Sequence, residues 1–119
     1  MEGYQPGIYR TFTAPVGGVV AGTPLLIGGR VVIPRETVAA GLTFTGFRGP
    51  GTVGGLPKAA GVAFVEGAAV RFDSVAGNFA AAIAATNYLV GECANVGGVA
   101  GGATTIDVHF DGATHLPNV

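Results

Sequence analysis

A chain of 119 residues with a formal net charge of −1 is long enough for one domain with its own core, yet only 11% of it is charged and 22 residues are glycine. Its six scattered basic residues exclude the clustered Lys/Arg footprint of a nucleic-acid binder, and the single Cys93 excludes an intrachain disulfide framework. Nothing approaches 18 uninterrupted apolar residues and residues 1–6 are polar and proline-broken, so neither a membrane-spanning helix nor a secretion signal is expected.

Good helix formers other than Ala are scarce, whereas Val, Thr, Phe and Gly abound, so the expectation is an all-β chain of short antiparallel strands joined by tight turns. Residues 1–7 read as an N-terminal arm closed by the Pro6-Gly7 turn signal, an arm that either frays or reaches onto a neighbouring subunit. Residues 8–13 alternate as the first strand, with Ile8, Arg10 and Phe12 on one face and Tyr9 and Thr11 on the other. Residues 25–27 and 30–33 flank Gly28-Gly29, the clearest hairpin signal in the chain. Both arms are continuously apolar, which predicts a hairpin covered on both faces. Pro34 stops it.

Residues 36–41 read as a loop or a single helical turn, and residues 42–47 as a strand with Leu42 and Phe44 on one face and Phe47 on the other. The Gly/Pro-rich residues 49–55 are expected to break regular structure. From Gly55 the chain passes through a corner at Pro57 and a loop ending in Glu66-Gly67, and then into a strand over residues 69–72. Residues 74–78 read as a hairpin loop. Residues 79–85 favour a helix on alanine content alone, but lie between strands and are read as strand. Residues 88–94 and 104–110 complete the strands around a glycine-rich turn at 97–102, with Ile106, Val108 and Phe110 facing inward. Residues 112–119 form a polar tail. Gly18-Val19 and Gly22 before Leu25 echo Gly61-Val62 and Gly67 before Ala69, a pattern that fits two related halves of one barrel or sandwich.

Candidate chemistry is sparse. Gly49-Pro50-Gly51-Thr52-Val53-Gly54 matches a dinucleotide-binding glycine pattern, but Pro57 follows where a helix N-terminus would have to hold the phosphates. Asp107, His109 and Asp111 share one face of the last strand, which suits either a divalent metal or the solvent side of an outer strand. Alternation favours the second. Cys93 could pair with His109 or His115 as a thiol nucleophile, but its strand context, lacking a helix N-terminus, fits a structural cysteine. The lone Ser74 lacks the flanking glycines of a nucleophile elbow, and no carboxylate pair is spaced for acid–base work, so an enzyme is not expected. No cofactor is expected either. Lys58 and Arg71 read as solvated charges or, alternatively, as cations that pair with acidic groups on a partner.

Several stretches together resemble the small capsid cement (decoration) proteins of tailed bacteriophages, the DUF2190-like family. They are residues 13–24 (TAPVGGVVAGTP) with the following apolar strand and Gly28-Gly29, residues 56–61 (LPKAAG), residues 67–70 (GAAV), residues 87–91 (NYLVG) and residues 103–108 (ATTIDV). The chain departs from the family pattern in its Gly/Pro-rich residues 46–55, in Arg71-Phe72 where an aromatic pair is usual, and in the tail beyond Phe110. The resemblance implies a small single-domain β-barrel or β-sandwich, with residues 1–7 as arm, 8–111 as core and 112–119 as tail. It also implies a structural protein of the virion, on the outer surface of the capsid. Its partners would be the major capsid protein and copies of itself, in a homotrimer, without nucleic acid or membrane. The residues matched to partner contact are Tyr4, Ile8, Leu56, Pro57, Lys58 and Arg71. A different class of function, a β-barrel module for a small ligand or carbohydrate, would instead require a concave site lined by aromatic residues.

Overall fold

The computed structural model describes residues 9–28 and 30–111. Among these there is no helix, and nine short strands form two antiparallel sheets. The first sheet contains β1 (Tyr9–Thr13), β2 (Leu25–Ile27), β3 (Arg30–Pro34) and β4 (Thr43–Phe47), in the order β1-β4-β3-β2. The second contains β5 (Gly51–Pro57), β6 (Ala69–Asp73), β7 (Asn78–Ala80), β8 (Asn87–Cys93) and β9 (Thr105–Phe110), in the order β5-β9-β8-β6-β7.

The β2–β3 hairpin forms where its glycines predict it, with Ile27 opposite Arg30 and Gly28 at φ 64°. It is covered on both faces. Val31 joins a core of Ile33, Phe47, Leu56, Val70, Phe79, Val90, Ile106, Val108 and Phe110, which lies between the sheets. Val32, one residue on, points the other way into a smaller core with Phe12, Ala14, Val19 and Phe44. The first sheet is therefore a middle layer, with the second sheet on one side and the loops carrying Val19 and Val38 on the other. An aromatic ladder crosses the seam: Tyr9 on Phe47, Phe47 on Phe110, Phe110 on Phe79 and Phe79 on Phe72, with ring centroids 5.1–6.0 Å apart.

Three expectations change. Residues 49–55 do not break the sheet, because β5 begins at Gly51 and absorbs Gly54-Gly55 as a bulge between Val53 and Leu56. The Asp107 carboxylate accepts the Gly55 N–H at 3.0 Å, so the unpaired residue is tied back to β9. Residues 79–85 are strand only as far as Ala80. The chain then leaves the sheet, and its carbonyls are taken up by side chains: Ala81 O by Arg71 and Ala82 O by Asn87. The loop after β6 is Ser74–Gly77 with Asn78 already paired, and Asp73 Oδ1 accepts the N–H groups of Val75 and Ala76 to close it.

The structure does contain a repeat, but not the one between residues 18–25 and 61–69. Residues 15–23 match residues 95–103 in the backbone hydrogen bonds of their turns. Gly18 N donates to Pro15 O as Gly98 N donates to Asn95 O. Val19 exchanges both backbone bonds with Val38 as Val99 does with Phe64, and the turn Thr23 N to Val20 O recurs as Ala103 N to Ala100 O. The facing loops match as well. Leu42 N to Ala39 O repeats as Ala68 N to Val65 O, and the bonds joining Ala14 to Gly41 and Leu42 recur between Cys93 and Gly67 and Ala68. The echo is hard to read in the sequence because the second copy of the facing loop is longer: Ile33-Pro34-Arg35 lies five residues before Val38, whereas Leu56-Pro57-Lys58 lies eight before Phe64.

Gly18 and Gly98 occupy the same place in this repeat, at φ 75° and 88°. A Cβ on Gly18 would lie 2.6 Å from Val38 O, and one on Gly98 would lie 2.5 Å from Phe64 O, both against backbone that the reciprocal bonds hold still. Gly22, at φ 80°, has nothing within 4 Å. Gly18→Ala and Gly98→Ala should each lower unfolding free energy in urea by about 1–3 kcal/mol, and by clearly more than Gly22→Ala, which carries the backbone strain alone.

Candidate interaction surfaces

The residues matched to partner contact do not form one exposed patch. Tyr4 and Ile8 lie outside the described residues. Leu56 is buried in the inter-sheet core, and Pro57 is exposed at the end of β5. Lys58 and Arg71 are not solvated charges, being only 6% and 9% exposed. The Lys58 ammonium points into the protein and donates to the carbonyl oxygens of Ala59 at 2.9 Å, of Gly101 at 3.1 Å and of Val62. It thereby fastens the loop after β5 to the turn at residues 100–103. Arg71 lies on the face of β6 opposite the core residues Val70 and Phe72, and it is buried there beside the segment that leaves the sheet after β7, its guanidinium donating to Ala81 O at 2.8 Å. Alternation gives the face of Arg71 correctly but not the distant segment that covers it.

The last strand is polar on its outer side. Asp107 is half-buried and bonded to the β5 bulge, His109 Nδ1 lies 2.9 Å from Thr52 Oγ1, and Asp111 is exposed. Among the described residues no group of three His, Cys, Asp or Glu side chains is arranged to hold a metal ion. Cys93 sits opposite Val108 in the inner core at 1% exposure, with its thiol toward Asn95 Oδ1, while the neighbouring His109 faces outward. The strand register therefore separates the thiol from that imidazole. The Gly49–Gly54 pattern runs through a cis Gly49-Pro50 turn into β5 and precedes no helix.

Three surface features do stand out. Val16 and Val96 are 99% and 91% exposed at equivalent positions of the repeated Gly-Gly turns. Beside the second turn, Val65 is exposed at the rim of an open cleft of about 380 Å³ lined by Ala63, Phe64, Gly97, Gly98 and Val99. A second cleft, of about 330 Å³, opens on the outer face of the second sheet and is lined by Gly67, Ala69, Leu89, Gly91, Glu92, His109 and Asp111. Glu92 and His109 are direct cross-strand neighbours there.

The third feature is a row of arginines. Arg10 lies two residues before Phe12 on β1, Arg30 two before Val32 on β3, and Arg48 four after Phe44 at the end of β4, so all three share the face of the smaller core. The Arg10 guanidinium lies 5.0 Å from the Phe12 ring centroid. Burial, and then the charges of Arg30 and Arg10, hold the Arg48 pKa below its ordinary value. The alternation alone would place each arginine beside its apolar neighbour, but only the strand order β1-β4-β3 puts the three together.

A family model described as phage cement protein matches residues 4–116. The chain belongs to the phage cement protein family. That membership assigns it a structural role in a phage capsid. No curated protein and no solved structure matches the chain.

Removing the Lys58 ammonium would leave three carbonyl oxygens without their shared donor. Lys58→Met, which keeps most of the aliphatic stem, should lower unfolding free energy by about 1–3 kcal/mol in chemical denaturation.

Proposed function

We propose that this protein binds the outer surface of a phage head, bridges subunits of the major capsid protein and stabilises their lattice, acting as a homotrimer without catalytic activity. The observation that carries this reading is the match to the phage cement protein family along residues 4–116. The surface suits the role. A capsid contact made by a small oligomer is multivalent, so each subunit needs only a modest interface, and oligomerisation raises the effective affinity for the lattice. The repeated Gly-Gly turns present Val16 and Val96 on rigid backbone, and such apolar tips add contact area at little ordering cost. Pro57 and, from the arm, Tyr4 and Ile8 belong to the same proposal. Leu56, Lys58 and Arg71 contribute from inside, by holding the loops that carry the contact residues.

A ligand- or carbohydrate-binding module is favoured by neither cleft, because Gly, Ala and aliphatic residues dominate both linings and Phe64 is their one Phe, Tyr or Trp side chain.

The deciding experiment mixes purified protein with expanded capsids that lack it. Co-sedimentation and a raised capsid melting temperature are expected, and a protein that stays in the supernatant would overturn the reading. Val16→Asp with Val96→Asp should weaken co-sedimentation by about tenfold or more while leaving the protein's own melting temperature within about 2 °C, since both side chains are solvent-facing.

A further inference from the structure

The charges of this chain are segregated by sheet. Residues 9–48 carry Arg10, Arg30, Arg35 and Arg48 against Glu36 alone, a formal +3. Residues 49–111 carry Glu66, Asp73, Glu92, Asp107 and Asp111 against Lys58 and Arg71, a formal −3, and both of these cations are buried. The second sheet thus shows the outside almost only negative charge. Asp107 binds the β5 bulge, Asp73 closes the β6–β7 loop and Glu66 accepts the Gly97 N–H at 3.0 Å. Glu92 and Asp111 stand exposed at the cleft of the outer face, where Gly67, Ala69 and Gly91 keep the floor low.

We propose that copies of this chain associate head to tail, the arginine row Arg10, Arg30 and Arg48 of one copy seating on the acidic cleft of Glu92 and Asp111 of the next. This rests on the reading of the protein as an oligomeric capsid component and names the surfaces by which it oligomerises. Charge complementarity selects a second copy as the occupant. The two surfaces have opposite sign, and the low cleft floor admits long guanidinium stems to carboxylates, which arginine binds bidentately. Like-with-like pairing is disfavoured, because a two-fold contact through either surface would set arginine against arginine or carboxylate against carboxylate. A heterologous contact between two different faces closes into a ring when its rotation permits.

The test is a charge-swap cycle on the full chain, read by light scattering and sedimentation across protein concentration. Arg10→Glu with Arg30→Glu, and separately Glu92→Arg with Asp111→Arg, should each raise the dissociation constant by about tenfold or more. Combining all four reversals in one chain makes every head-to-tail contact complementary again and should restore the assembly, and the parent assembly should weaken with salt. Circular dichroism and thermal melting confirm that each variant is folded, and Arg10→Gln alone serves should the double reversals not fold. Unchanged association of either folded reversal, no recovery in the folded four-fold variant, or a parent that stays monomeric would overturn the proposal. Capsid co-sedimentation run in parallel separates the two ideas. A self-associating parent that ignores capsids defeats the capsid reading alone. An arginine reversal that loses capsids while still self-associating assigns the row to the capsid and defeats the head-to-tail contact.

Discussion

The seam between the two sheets is the constraint on which this fold rests. Phe47 from β4 meets Phe110 from β9 edge to face at 5.6 Å, and the contact continues through Phe79 to Phe72 on one side and to Tyr9 on the other. Edge-to-face rings bury large area while fixing direction, so the ladder sets how one sheet lies on the other. In a chain with few leucines and no tryptophan, it is the main source of large, shape-specific packing. The second requirement is β3, whose neighbours Val31 and Val32 are fully buried on opposite faces. One strand thereby ties the inter-sheet core to the smaller core beneath the loops.

Around this seam, the loops are ordered by a repeated device, not by size. A Gly-Gly turn, a reciprocal pair of backbone bonds and a closing turn appear twice, at residues 15–23 and 95–103. Backbone satisfied in this way holds its shape without a large side-chain core, which explains how a chain so rich in glycine can present fixed apolar tips. Lys58 completes one of the two loop clusters from inside by bonding three carbonyls, and Arg71 does similar work beside β7. Cations that a sequence reading would send to the surface are here internal fasteners.

With Lys58 and Arg71 withdrawn, the charge of the described residues divides by half of the chain, arginines with Glu36 alone in the first and carboxylates in the second. A low overall charge of −1 therefore conceals a strongly bipolar surface. In the contacts proposed for this phage cement protein, that division and the exposed valines supply two separate kinds of surface, one directional and salt-sensitive, the other apolar.

Composition and alternation determined much by themselves. They identify an all-β chain, the Gly28-Gly29 hairpin with both faces covered, the inward row Ile106, Val108 and Phe110, and the structural setting of Cys93, because each depends only on local period and turn chemistry. The ordered set of turns and strands also sufficed for the resemblance to phage cement proteins. Tertiary structure alone decided what depends on register and on distant partners. A bulge at Gly54-Gly55 preserved β5, and the segment after β7 came to lie over Arg71, and alternation foresees neither, since the first needs an extra residue absorbed into a strand and the second a partner ten residues away. The true repeat was masked by an insertion in one of its loops, and the arginine row exists only because β1, β4 and β3 lie side by side. Neighbours within a strand are written in the sequence, whereas neighbours across a sheet are set by the order in which strands pair.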